Sequence, residues 1–301
     1  MGMIFVTITV MSDSLERLNS GRPPVRGAHV EQEGAAARRR YRRALMALTR
    51  SGLPFLVGGA YALEHYTTIA RWTKDLDIFV LPGDVDGCLD ALTSAGFETE
   101  IAFPHWLAKA YAGRDFIDLI FSSGNGVAEV DAEWMGHATP GHVLGLPVPL
   151  CPAEEMIWSK AFVAERERYD GADIAHLIRA CHARLDWERL VRRFGAHWRV
   201  LLSHLLLFEF VYPSEPAPEA RHWARVLARR LEAAGSVPEA SERICQGPLL
   251  SRSQYLPDIV GWGYGDARLR PHGRMSEVAV QQWTDAIDED EEGPRAHRSG
   301  G

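Results

Sequence analysis

The sequence predicts a small α/β (α+β) domain with helices packed on a sheet, followed by a mainly α-helical C-terminal domain. From residue 38 to residue 150, short apolar segments of strand character alternate with helix-forming segments, which is typical of such a domain. From Pro152 onward, long helical segments replace this alternation. We therefore expect a flexible extension at residues 1–37, the α/β core at 38–150, a helical domain at 151–240, and an irregular segment with an acidic tail at 241–301.

The composition is that of an ordinary globular protein, with 46% hydrophobic and 24% charged residues. The 301 residues are enough for two domains. A net charge of −7 does not indicate a general nucleic-acid-binding surface. The four cysteines have no metal-ligand or redox spacing, which favours free thiols in a reducing cytoplasm. No apolar run reaches spanning length, so we expect no transmembrane helix and no membrane partner.

The N-terminal part precedes the core. Residues 1–10 are apolar but lack the basic segment and cleavage site of a signal peptide, leaving an added strand or upstream-start sequence as alternatives. Residues 12–37 are rich in Gly, Pro, Arg and Glu, which predicts a disordered or loosely attached segment. Residues 38–50 predict an amphipathic helix with Tyr41, Leu45 and Leu48 on one side. Its five arginines before Ala44 either contact a polyanion or, more commonly, face solvent.

Residues 55–80 form the central stretch of the core. An apolar strand at 55–57 ends at Gly58-Gly59, and a helical segment follows. Glycine at such a junction lets the backbone approach a ligand closely, with the N–H groups of the first helical turn pointing at it. The next strand carries Asp75 and Asp77, which share one face because side chains alternate along a strand. A divalent cation would relieve the repulsion between these carboxylates, and Mg²⁺ prefers such ligands.

A third carboxylate, Asp118, lies in the middle of an apolar strand at residues 116–121. A buried carboxylate is costly unless it is paired or bound to metal, so either an ion or nearby Arg114 is expected beside it. The remaining elements predicted for the core are a helix at 85–95 ended by Gly96, a strand at 97–103, an ambiguous segment at 106–112, an extended segment at 127–134, a loop at 137–145 and a strand at 146–150.

This arrangement resembles the nucleotidyltransferase superfamily, whose signature is an apolar strand, Gly-Gly or Gly-Ser, a helix, and then Asp-apolar-Asp-apolar. The five positions that match are Gly58, Gly59, Asp75, Asp77 and, as the later third carboxylate, Asp118. The resemblance implies a small mixed sheet flanked by helices. It also implies two Mg²⁺ ions held by the three aspartates, with an NTP as co-substrate against the glycine pair.

The C-terminal half reads as a series of helices. They are predicted at residues 152–169, 173–184, 187–194, 197–212 and 219–234. Residues 245–270 show no clear periodicity of hydrophobic residues, and residues 283–292 are predicted to end in a solvated acidic run.

Within the first of these helices and the turn after it, Lys160, Asp170 and Asp173 resemble a motif of a bacterial branch of the superfamily that includes toxins of abortive-infection toxin–antitoxin systems. The resemblance implies that Lys160 is catalytic, and that Asp170, Asp173 and Arg166 or Arg168 face the nucleotide. The alternative is that Asp170 is an N-cap and Lys160 an ordinary surface residue. Thr73 and Lys74, with Arg71, precede the carboxylate strand and are further candidates to reach phosphate.

We therefore expect a Mg²⁺-dependent nucleotidyltransferase that transfers a nucleoside monophosphate from an NTP to an acceptor hydroxyl, with Asp118 as candidate base. RNA, a protein and a small molecule such as an aminoglycoside all remain open as the acceptor. The alternative is a non-catalytic module that binds a nucleotide or a partner, for example one component of a toxin–antitoxin pair with an antitoxin-like protein.

Overall fold

Seven strands in the described part of the chain form one mixed sheet. The computed structural model describes residues 28–71, 73–234 and 243–292. The strands are β1 Phe55–Val57, β2 Asp75–Val80, β3 Glu98–Phe103, β4 Leu107–Ala112, β5 Asp115–Ile120, β6 Thr139–Val143 and β7 Leu146–Leu150. Their order across the sheet is β3-β4-β5-β2-β1-β7-β6. Pairing is antiparallel except between β2 and β5 and between β1 and β7.

Helices lie around this sheet and make up most of the chain after it. They are α1 Ala28–Ser51, α2 Gly59–Thr67, α3 Val85–Ser94, α4 Ala132–Gly136, α5 Ala153–Lys160, α6 Gly171–Cys181, α7 Trp187–Phe194, α8 Trp198–Val211, α9 Pro218–Ala233, α10 Leu256–Val260 and α11 Glu277–Glu292. Two further short strands, β8 Ile244–Cys245 and β9 Gly265–Asp266, pair in parallel within the segment that showed no clear period. The predicted fold class is confirmed.

One hydrophobic core connects the sheet with the C-terminal helices. Leu56 and Phe79 of the sheet belong to the same buried cluster as Ile157, Leu201 and Leu227 of the helices. The described part of residues 40–301 forms one compact unit by itself, and the predicted domain boundaries stay a prediction. Helix α6 packs against α2 as well as α5 and α8, which places the helical part directly beside the sheet.

The N-terminal helix is longer than predicted. Tyr41, Leu45 and Leu48 are buried, as the amphipathic pattern predicts. However, α1 begins at Ala28, so part of the segment expected to be loosely attached is helical. Three consecutive alanines at 35–37 have high helix propensity and offset Gly34. Residues 1–10 lie outside the described residues.

Two predictions between β5 and β7 need correction. The extended segment predicted at residues 127–134 is wrong from Ala132 onward, because Asp131, whose own backbone is extended, caps α4 by accepting hydrogen bonds from the backbone N–H groups of Glu133 and Trp134. Residues 137–145 are not only a loop, because β6 pairs with β7 in a hairpin. The turn between these strands contains Leu144 and Gly145, both with positive φ, as the common two-residue hairpin turn requires.

Two predictions in the C-terminal half also need correction. The helix predicted at 152–169 ends at Lys160, because Ala164 and Tyr169 then pair in an antiparallel bridge. Residues 283–292, expected as a tail, belong to α11, and Trp283 at their start packs edge-on against Phe103 at a centroid distance of 5.2 Å. The solvation of the acidic run at their end stays a prediction. No helix in the described ranges is both long and apolar enough to span a membrane.

Candidate active site

Three carboxylates meet on one face of the sheet. Asp75 and Asp77 lie on β2, and Asp118 lies directly opposite Asp77 on the parallel neighbour β5. One oxygen from each side chain lies within 4.8 Å of the others, and all three residues are partly buried. The period of two along β2 and the register of β2 with β5 are therefore enough to assemble the cluster.

The glycine pair fits tightly against β2. The Gly58 N–H donates to the Asp77 carbonyl oxygen at 2.9 Å. Gly59 has φ +54°, and a Cβ at this position would lie 1.7 Å from Asp77 Oδ2. A Cβ on Gly58 would lie 2.2 Å from the Phe79 ring. The sequence predicts that glycine admits a ligand here, and the structure adds that Gly59 makes room for the Asp77 carboxylate itself.

The segment before β2 is held by hydrogen bonds, one of which fixes the Asp75 carboxylate. The Thr73 hydroxyl donates a hydrogen bond to Asp75 Oδ1. The Tyr41 hydroxyl of α1 donates to the Lys74 carbonyl oxygen at 2.7 Å. Thr73, a candidate to reach phosphate, is therefore positioned to orient Asp75.

The surroundings disfavour three negative charges without a cation. Burial, and then the Asp75 and Asp118 carboxylates, raise the pKa of Asp77 to about 7. Burial also raises the pKa of Asp118, although the hydrogen bond and charge of Lys109 act in the opposite direction. Each carboxylate that ionises makes ionisation of the others harder.

The residues present fit a divalent cation. Carboxylate oxygens are the donors that Mg²⁺ prefers, and three of them converge here from adjacent strands. A cation bound among them would replace the proton that the raised pKa of Asp77 favours. Asp75, Asp77 and Asp118 are the residues that would hold it.

A second charged cluster lies beside the triad. Lys160 Nζ is 2.9 Å from Asp170 Oδ2 and 2.9 Å from Asp173 Oδ2. Arg168 contacts Asp170 at 3.2 Å, and Arg71 forms an ion pair with Asp173. The charges of Lys160 and Arg168 act on Asp77 in the direction that lowers its pKa, so the two clusters are electrostatically coupled.

Lys160 is far from an ordinary surface residue. Its side chain is 18% exposed, and the side chains of Asp170 and Asp173 are 11% and 10% exposed. Burial alone would lower the pKa of Lys160, but the two aspartates outweigh it and raise that pKa. Asp170 occupies the N-cap position of α6 without a side-chain capping hydrogen bond. The N-cap alternative therefore holds for the position of Asp170, and a functional role for Lys160, Asp170 and Asp173 stays a prediction.

Sequence reasoning missed the partner of Asp118. The neighbour expected for pairing was Arg114, which is exposed, whereas Lys109 Nζ donates to Asp118 Oδ1 at 2.7 Å. Residues 106–112 have no clear pattern in the sequence, and Lys109 meets Asp118 only through the β4–β5 register. The pairing of Arg71 with Asp173 across 102 residues had no sequence signal.

Comparisons with known proteins found similarity in structure only. No protein-family model and no curated protein matches the sequence. Among solved structures, the chain is similar to the solution structure of the antibiotic-resistance factor ANT(2'')-Ia, with 19% identity, 56% of this chain and 97% of that chain covered, and a TM-score of 0.42. A crystal structure of ANT(2'')-Ia with adenylyl-2''-tobramycin gives 18% identity, 53% and 94% coverage, and a TM-score of 0.38.

A further similar structure is the lincosamide antibiotic adenylyltransferase LnuA with lincomycin bound. It is 12% identical, with 46% of this chain and 94% of that chain covered and a TM-score of 0.34.

Proposed function

We propose that this chain is a Mg²⁺-dependent nucleotidyltransferase that moves a nucleoside monophosphate from an NTP to an acceptor hydroxyl and releases pyrophosphate. The observation that carries the proposal is the triad of Asp75, Asp77 and Asp118, whose oxygens converge within 4.8 Å. Nucleotidyl transfer needs such a site, because charge on the triphosphate must be offset where bonds form and break.

In the reaction, the acceptor hydroxyl oxygen forms a bond to the α-phosphorus of the NTP. The bond from that phosphorus to the oxygen bridging to the β-phosphate breaks, and pyrophosphate leaves with the electron pair. Asp118 is the candidate base for the hydroxyl proton, because burial raises its pKa and so strengthens it as a proton acceptor. Mg²⁺ ions held by the triad would supply Lewis-acid stabilisation of the phosphate charge.

The cluster around Lys160 supports binding of a triphosphate. It contains three cations, Lys160, Arg168 and Arg71, against the two carboxylates of Asp170 and Asp173. The surplus of one positive charge lies beside the triad, where an NTP would bring negative charge. In our proposal Lys160 offsets charge that develops during transfer, and the two aspartates fix its position.

Gly58 and Gly59 would place the triphosphate near the start of α2. Gly58 is the N-cap residue of this helix and has no side chain to cap it. Backbone N–H groups in the first turn of a helix attract anions. Lys74, on the approach to β2, remains a candidate phosphate contact.

The acceptor is open among RNA, a protein hydroxyl and a small molecule such as an aminoglycoside. Three of the arginines considered for polyanion binding have partners within the fold. Arg40 pairs with Asp115, Arg42 donates to the Leu144 carbonyl oxygen, and Arg43 lies 4.6 Å from the Phe97 ring centroid. This arrangement weakens the argument for an RNA acceptor drawn from that helix. An antitoxin-like partner remains a prediction of the toxin resemblance.

The proposal is tested by incubating the purified chain with each α-labelled NTP, Mg²⁺, and total RNA, protein extract or an aminoglycoside panel. The variant Asp75→Asn removes one carboxylate of the triad, and Asp90→Asn removes an exposed carboxylate on α3 as the matched control. We expect label on one acceptor class with the wild type and Asp90→Asn, and none with Asp75→Asn. NTP binding without transfer to any acceptor would contradict the enzyme and favour a non-catalytic binding module.

A further inference from the structure

Lys109 lies in a row with two of the triad aspartates across three strands. It is opposite Asp118 in the β4–β5 register, and Asp118 is opposite Asp77 in the β5–β2 register. Side chains at directly paired positions lie on the same face of a sheet. The ammonium group therefore belongs to the face that carries the carboxylates.

Two contacts hold the Lys109 side chain. Its Nζ donates to Asp118 Oδ1 at 2.7 Å, and it lies 4.4 Å from the centroid of the Phe116 ring, two residues before Asp118 on β5. The Lys109 and Asp118 side chains are 22% and 16% exposed, so water has limited access to the pair. A charge-assisted hydrogen bond in this setting restricts the rotation of the carboxylate.

We propose that Lys109 is a positioning residue for the ion site. A carboxylate has two oxygens, and Lys109 engages Oδ1 of Asp118. The second oxygen is then the one presented toward Asp77 and a bound divalent cation. This inference rests on the proposed function only in taking the triad as an ion site, and it assigns Lys109 no contact with the reacting atoms.

The charge of Lys109 and its hydrogen bond to Asp118 have opposite effects on metal affinity, and the test must separate them. The positive charge of Lys109 repels a nearby cation, so its removal favours metal binding through space, whereas loss of its hydrogen bond disfavours it. Groups that orient metal ligands typically change metal affinity by about 10–100-fold when they are removed. The net change in a single variant therefore does not identify the cause, but a double-mutant cycle with Asp118 does.

The test measures Mn²⁺ affinity by electron paramagnetic resonance, without nucleotide, for the wild type, Lys109→Met, Asp118→Asn and the double variant. The direct repulsion between the Lys109 charge and Mn²⁺ is the same with and without the Asp118 carboxylate and cancels in the cycle. Lys109 also lowers the pKa of Asp118, so the cycle is repeated at higher pH, where Asp118 is ionised with or without Lys109. We expect Lys109→Met to weaken Mn²⁺ binding about tenfold more when Asp118 is present than in the Asp118→Asn background. Lys109→Arg, which keeps a charged donor, should restore most of this difference.

A matched control removes a cation that does not touch the triad. Arg114→Met in the exposed β4–β5 turn should change Mn²⁺ affinity equally in the two backgrounds. Equal effects of Lys109→Met with and without Asp118 would overturn the positioning role, and an absence of Mn²⁺ binding in the wild type would overturn it as well. If Lys109 and Asp118 are coupled in Mn²⁺ binding but the wild type transfers no label to any acceptor, the proposed enzymatic function is rejected and the positioning role of Lys109 is retained. If the wild type transfers label but Lys109 and Asp118 are not coupled in Mn²⁺ binding, only the positioning role of Lys109 is rejected.

Discussion

At the scale of single residues, Asp77 shows how the triad depends on its counter-charge. Its carboxylate shares a face with Asp75 and Asp118, and burial together with these neighbours raises its pKa to about 7. In protein stripped of metal, the ionised form of Asp77 is therefore a cost to the folded state, because the unfolded chain imposes no such penalty. Once a divalent cation is bound, the same charge stabilises the folded protein by attracting the ion.

This environment predicts an unusual outcome for Asp77→Asn. Asparagine has the shape of aspartate without its charge, so the substitution relieves the repulsion from Asp75 and Asp118. The metal-free variant should therefore melt at the wild-type temperature or a few degrees higher. Nucleotidyl transfer should fall by at least about 100-fold, because a ligand of the ion site is lost. Circular dichroism melts in EDTA and the label assay measure the two effects. A markedly lower melting temperature would mean that Asp77 serves the fold and not the site.

A second residue prediction concerns Gly59. Gly59→Ala places a methyl group where Asp77 Oδ2 now lies and keeps an αL backbone, so we expect a loss of at least about 2 kcal/mol in the free energy of unfolding. Gly83→Ala is the matched control, since no atom lies within 4 Å of its Cβ position, and it should change stability by at most about 0.5 kcal/mol. Urea titration distinguishes the two. Equal stability of the variants would show that the β1–α2 junction relaxes easily.

At the scale of elements, helices α5 and α7 are joined by a buried ionic network. Arg189 is 3% exposed and pairs with Glu155, which is fully buried, and with Glu154 at 2.7 Å. Arg193 also contacts Glu155, at 3.2 Å. Breaking such a network costs more than the pair itself stabilises, because a charge is left in the interior.

We therefore expect Arg189→Met to lower the free energy of unfolding by about 3 kcal/mol. Arg192→Met on the same helix is the matched control, because the Arg192 side chain is 61% exposed and its pair with Glu133 lies at the surface. That variant should cost at most about 1 kcal/mol. Urea unfolding followed by tryptophan fluorescence provides the comparison. Similar values for the two variants would contradict the importance assigned to the buried network.

Elements were predictable from the sequence where local pattern and tertiary contacts agree. Strand β2 follows its alternation, and α7 follows its predicted bounds. Strand β6 was missed because Pro140 and Gly141 read as a loop, yet an edge strand tolerates them. Helix α5 ends early although helix-forming residues continue, because Glu165 accepts hydrogen bonds from Ser251 and from the backbone of Arg252. Those distant contacts override local propensity.

At the scale of the whole molecule, the site is assembled by topology. The spacing of Asp75 and Asp77 is visible in the sequence, but their meeting with Asp118 requires β2 and β5 to be parallel neighbours. The position of Lys160 likewise depends on α6 packing against α2 and α5. The resemblance to a known superfamily supplied this topology in advance for the triad. It supplied nothing for Lys109 or Arg71, whose partners depend on strand register and long-range packing.

The central claim, that the triad supports nucleotidyl transfer, is tested most directly by comparing α-labelled with γ-labelled NTP in the presence of Mg²⁺. With an acceptor found by the panel, we predict that the α-label appears on the acceptor and the γ-label leaves as pyrophosphate. Both signals should disappear in Asp77→Asn and persist in Asp90→Asn. Transfer of the γ-label to the acceptor, or unchanged transfer of the α-label by Asp77→Asn, would contradict the account.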